Sequence, residues 1–108
     1  MTDPEDDVDC PPPPTIEGAL VREMAIVNRK GLHARATAKF VQCVEKFPKT
    51  RIYVTRCGET VGGTSIMGIL TLGAGIGSTI TVSAVGDDAD SALAAIGDLV
   101  ANRFGEDE

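Results

Sequence analysis

The sequence predicts an α+β fold, an open-faced β-sandwich in the order β-α-β-β-α-β-α. Its four-stranded sheet reads as antiparallel, with mixed pairing also allowed by the patterning, and three helices pack on one face. Three observations carry this. Short stretches alternate apolar with polar residues, the period of a half-buried strand. Between them, apolar residues recur at helical spacing behind capping residues. The strands also carry hydroxyls on their second face, so one side of the sheet, with its Thr and Tyr residues, is expected to face water.

Residues 1–17 are read as a disordered tail, because carboxylates and the run Pro11-Pro12-Pro13-Pro14 cannot bury themselves and lean to polyproline II. The folded domain is residues 18–108. Residues 19–27 are apolar apart from Arg22 and Glu23 and form the first strand. A helix is predicted over 34–47: it holds no Gly or Pro, Phe40, Val44 and Phe47 share a face, and Pro48 ends it. Residues 51–56 alternate with Ile52 and Val54 inward; a turn at 57–59 returns the chain through Thr60 and Val61 as a hairpin. Ser65 is placed to cap a short helix over 66–72, closed by Gly73. The Gly-rich residues 73–78 lack the spacing of a phosphate-binding loop and read as a plain turn. Ile80, Val82 and Ala84 line one face of the last strand. Asp87 then caps a final helix, with Asp90 in its first turn and Leu93, Ile96, Val100 and Phe104 as its stripe, before an acidic end.

The chemistry concentrates in residues 31–37. His33, the single histidine, falls at the N-cap of the first long helix. A helix start directs free backbone N–H groups and a positive dipole end outward and so receives anions, phosphate above all. Imidazole is nucleophilic near neutrality without a separate base. A phosphoryl group on the ring would meet the first-turn donors of Ala34 and Ala36. It would also meet the guanidinium of Arg35, whose charge-assisted hydrogen bonds contribute roughly 1.5 to 3 kcal/mol each.

Charge and cysteines narrow the classes. The 108-residue chain carries a net charge of −6, but six carboxylates precede its first base, and from Gly18 onward ten acids face ten bases. Nine of those bases lie before residue 57, so the half holding His33 is locally basic and would steer acidic or phosphorylated partners. With one Tyr, three Phe and a neutral body, nucleic acid is not the expected partner. Cys10, Cys43 and Cys57 form no C-x-x-C pair and the first residues are not signal-like, which points to a reducing cytoplasm. One histidine with scattered thiols builds no usual zinc site, so neither metal nor cofactor is expected. No apolar run approaches the ~20 residues that span a bilayer.

Two stretches carry a resemblance to a known family: Gly31-Leu32-His33-Ala34-Arg35 and Ser65-Ile66-Met67-Gly68, 32 residues apart from His33 to Ser65. Over residues 20–104 the chain resembles HPr, the histidine-containing phosphocarrier of the bacterial phosphoenolpyruvate-dependent phosphotransferase system. The resemblance implies that His33 accepts a phosphoryl group from phospho-Enzyme I on Nδ1 and passes it to an EIIA-type protein, with Arg35 assisting. Ser65 is implied as a regulatory site for an HPr kinase/phosphorylase. The family usually has proline after the arginine; Ala36 stands here and keeps an N–H that proline lacks. Thr64 replaces the family's lysine or similar residue before the serine.

Ile66, Met67, Ile69 and Leu70 cannot all turn inward from so short a helix, so they are expected, with Lys39, to form the docking surface. A phosphoserine beside them adds roughly −1.5 to −2 charges to be desolvated on docking. The chain is thus read as a cytoplasmic monomer and a phosphoryl carrier, not an enzyme. Two other classes remain: a regulatory binding module controlled by Ser65 without phosphotransfer, and a small ligand-binding domain.

Overall fold

Ile80, Val82 and Ala84 need a core on one face, and the strand that carries them lies between two neighbours. The computed structural model of the chain describes residues 10–108. In order come β1 (Leu20–Ala25), α1 (Ala34–Val44), β2 (Thr50–Arg56), β3 (Glu59–Gly62), α2 (Ile66–Thr71), β4 (Thr79–Gly86) and α3 (Ala89–Ala101), then a 3-10 turn, Arg103–Gly105. The sheet order is β1-β4-β2-β3 and every pairing is antiparallel. Val54 lies opposite Val82 on one side and Val61 on the other.

Met24, Ile52, Val54, Ile80, Val82 and Ala84 make the inner face of the core, with Phe40, Val44, Ile69, Leu93, Ile96 and Val100 from the helices in the same cluster. Each large apolar side chain so buried stabilises by roughly 1.5 to 3 kcal/mol before entropy is counted. The β2–β3 hairpin turns on two residues, Cys57 and Gly58, both at positive φ (48° and 87°). A two-residue loop of that kind matches the strand twist. Glu59 therefore already belongs to β3.

Helix boundaries differ from the sequence reading in instructive ways. α1 stops at Val44 because Lys46 and Phe47 N–H groups reach back to Cys43 and Val44 carbonyls, tightening the chain ahead of Pro48. Asp88, not Asp87, occupies the N-cap of α3, and its side chain makes no capping bond. Phe104 does not continue the α3 stripe: the helix ends at Ala101, and Phe104, at φ 53°, is fully buried in the 3-10 turn. Anchoring that ring reverses the backbone and sends the last residues back across the molecule.

The outer sheet face is drier than its hydroxyls suggested. Thr55, Thr81 and Ser83 are buried, each flanked by neighbours on adjoining strands. Residues 10–13 line a depression with Glu23, Thr55, Thr79 and Thr81. Cys10 is held there by a disulfide to Cys57, Cα atoms 4.6 Å apart across 47 residues of sequence. Two thiols read as separate are thus one covalent clasp, which sequence spacing alone could not reveal, and the cysteine argument for a reducing compartment falls with it. Cys43 remains a buried thiol, and burial pushes its pKa up. Residues 10–17 contain no helix or strand, and residues 1–9 of the expected tail lie outside the described residues. Among the described residues no helix is long and apolar enough to cross a membrane, and no group of His, Cys, Asp and Glu is placed to hold a metal ion.

Candidate functional site

His33 owes its position to the glycine two residues before it. Gly31 sits at φ 67°, and a Cβ there would come within 2.6 Å of the Ala74 carbonyl oxygen. That close approach lets Leu32 N–H donate to Ala74 O at 2.9 Å. Residues 73–78, read from sequence as a plain turn, therefore brace the loop that presents the histidine through Ala74. His33 itself is extended (φ −80°, ψ −177°) at the N-cap of α1. Its Nδ1 accepts from Arg35 N–H at 3.3 Å.

The other ring nitrogen has a partner from the far end of the chain. His33 Nε2 faces a carboxylate oxygen of Glu106. An ionised carboxylate only accepts, so Nε2 carries the hydrogen and Nδ1 keeps its lone pair toward the helix start. Glu106 is positioned in turn by Asn28, a fully buried side chain whose Nδ2 donates to Glu106 Oε1 at 3.0 Å and to Gly31 O at 2.8 Å. The Asn28 amide first, and then the imidazole, hold the Glu106 carboxyl below its usual pKa. Arg29 binds the same segment twice: its N–H donates to Glu108 O at 2.7 Å and its guanidinium to Glu108 Oε1 at 2.8 Å.

These contacts gather Arg29, Lys30, His33, Ala34 and Arg35 with Glu106, Asp107 and Glu108 around one depression. The basic surface expected around the histidine is thus partly answered by the chain's own acidic end. No local signal could have revealed this: Asn28 and Arg29 read as loop residues, and Glu106 as part of a tail 73 residues from His33.

The remaining predicted residues divide between site, support and a second surface. Ala34 and Arg35 open α1 at the depression, while Ala36 is fully buried, so its N–H reaches outward only through the helix end. Lys39, expected at a docking surface, donates from Nζ to Phe104 O at 2.6 Å and so pins the C-terminal turn to α1. Ser65 caps α2 with Oγ accepting from Gly68 N–H at 3.1 Å. Beside it Ile66 and Met67 are exposed, Met67 to 71%, and Leu70 is half-buried. Ile69, expected with them at the docking surface, is instead completely buried, because a helix lying on the core must turn one side chain inward each turn.

A single imidazole at the N-cap of a helix, on an antiparallel open-faced sandwich, is the arrangement of a group-carrier domain. Residues 20–102 match the family described as the PTS HPr component phosphorylation site. The chain is 46% identical over 89 residues to the phosphocarrier protein HPr of Cupriavidus necator, covering 82% of this chain and 99% of that one. It is also 39% identical over 94 residues to a multiphosphoryl transfer protein of Haemophilus influenzae, covering 85% of this chain and 19% of that one. Among solved structures, HPr-C-His from Thermoanaerobacter tengcongensis superposes with a TM-score of 0.78 at 40% identity, covering 82% of this chain and 99% of that chain. The chain belongs to the HPr family, and is a phosphocarrier protein of the phosphotransferase system.

Proposed function

We propose that His33 takes a phosphoryl group on Nδ1 from phospho-Enzyme I and hands it to an EIIA-type protein. The observation that carries this is the orientation of the ring, with Nε2 on Glu106 and the Nδ1 lone pair turned to the start of α1. A phosphoryl group there would displace the long contact from Arg35 N–H and take that donor for its own oxygens, together with the first-turn N–H groups of Ala34 and Ala36. The helix end contributes roughly 0.3 to 2 kcal/mol to such a dianion, and each hydrogen bond from the Arg35 guanidinium roughly 1.5 to 3. These terms stabilise the phosphorylated carrier, so the acceptor must offer an equally favourable site. Specificity then resides in the partners, and the carrier works as a monomer without cofactor.

Docking of both partners is assigned to Ile66, Met67 and Leu70 beside the site, and Ser65 to regulation by an HPr kinase/phosphorylase. Incubation with phosphoenolpyruvate and Enzyme I is expected to give an acid-labile phosphate that His33→Ala lacks entirely. Equal labelling of that variant would refute the carrier reading. A second reading, a binding module switched by Ser65 phosphorylation alone, is favoured by the placement of the Ser65 hydroxyl beside exposed Met67. It requires partner affinity that follows Ser65 and ignores His33.

A further inference from the structure

We propose that Glu106 is a positioning residue for phosphoryl transfer, acting through the imidazole as the charged member of an Asn28–Glu106–His33 relay. The inference rests on the carrier reading given above.

The relay begins in the core. Asn28 is fully buried and spends both amide hydrogens, one on Gly31 O within the loop that presents His33, the other on Glu106 Oε1. Its amide cannot be reversed without turning an oxygen onto the Gly31 carbonyl, so the direction of these bonds is fixed. The second Glu106 oxygen is thereby aimed at His33 Nε2. Three further anchors fix the backbone that carries Glu106: the buried ring of Phe104, the Lys39 bond to Phe104 O, and the paired contacts of Arg29 with Glu108. Glu106 is mostly shielded, its side chain 19% exposed and that of His33 29%. A surface carboxylate on a loose tail would have none of these supports.

The chemistry follows from the atoms. As the Nδ1 lone pair forms a bond to phosphorus, the bond from phosphorus to the donor's leaving atom breaks, and its electron pair stays with the donor. No proton need move. The ring, however, passes from neutral to cationic, because Nδ1 has given its pair while Nε2 keeps its hydrogen. A carboxylate on that N–H interacts more strongly with the cation than with the neutral ring, so it favours the phosphorylated form and the transition state before it. It also holds the tautomer whose Nδ1 is unprotonated, the role an oriented acid plays behind many histidines.

Glu106→Gln tests this, since the amide preserves size and can still accept from Asn28. In the full chain with Enzyme I and phosphoenolpyruvate, acceptance is expected to slow about tenfold with the thermal midpoint unchanged. Nitrogen-15 NMR of the His33 ring supplies the readout that a structural role would not move. The hydrogen-bonded Nε2–H signal of the wild type should shift upfield and the tautomer mixture broaden, and Glu106→Asp should recover part of both effects. Acceptance at the wild-type rate or faster, or an unaltered ring spectrum, overturns the assignment. Failure of the wild-type chain to take phosphate overturns the carrier reading itself, and this inference with it.

Discussion

Two helix starts in this molecule share a backbone design and differ in everything around it. α1 and α2 each begin behind an extended residue whose side chain accepts a backbone N–H, His33 from Arg35 and Ser65 from Gly68. Around His33 the chain assembles Arg29, Lys30, Arg35 and three C-terminal acids, with the ring fixed between a helix end and a carboxylate. Around Ser65 it leaves the apolar side chains Ile66 and Met67 uncovered on a helix of six residues. The cap geometry therefore does not select the role. Neighbours do: charges and a shielded ring suit a group that must be held and released, while bare apolar surface suits a partner that must desolvate it.

That contrast can be broken most forcefully at α2, where adjacent residues face opposite ways. Ile69→Ala empties a fully buried site and is expected to cost about 2 to 5 kcal/mol, lowering the melting temperature by about 10 °C or more. Met67→Ala should stay within about 0.5 kcal/mol of wild type while weakening transfer from Enzyme I. Calorimetry beside a transfer assay checks both, and equal melting temperatures would mean that α2 does not lie on the core as described.

A smaller effect is expected from Ser65→Asp. Aspartate is a good N-cap and its charge suits a helix start, so folding should be unaffected. A charge beside Met67 nevertheless has to be desolvated when a partner docks, and the KM for Enzyme I should rise about tenfold. A rise in KM with kcat held would separate docking from chemistry, and an unchanged KM would remove Ser65 from the docking surface.

The mildest test is acid. The Glu106 carboxyl is held below its usual value of 4.5 by Asn28 and then by His33. A depressed folded pKa contributes stability that is fully present above the unfolded value and is lost as the pH falls through the folded one. As the pH falls below 4.5 and through that lower value, the Glu106 contacts should therefore loosen locally, moving the amide signals of 106–108 part of the way toward those of a free chain. Gly68, capped by a hydroxyl that does not titrate, should keep its shift.

Particular residues show what could be read early. Period and capping residues placed every strand and helix to within a few positions, and the N-cap positions of His33 and Ser65 and the inward faces of β2 and β4 followed from local pattern. Errors came where a distant group intervened. Phe104 continued a helical stripe in sequence, but its ring is buried in a reversed turn. Ile69 looked equivalent to Met67 until the core claimed it, and Thr81 looked exposed until it was flanked by strands on either side. Cys10 and Cys57 paired because the hairpin turn meets the segment ahead of β1.

By itself the amino-acid order determined the sequence of elements, the family and the place of His33 at a helix start, since periodicity, caps and short motifs express forces acting within a few residues along the chain. Only the tertiary structure decided what stands behind that histidine. Asn28, His33 and Glu106 meet because Phe104 is buried and the backbone turns back beneath it, a contact 73 residues long in sequence that no local preference encodes.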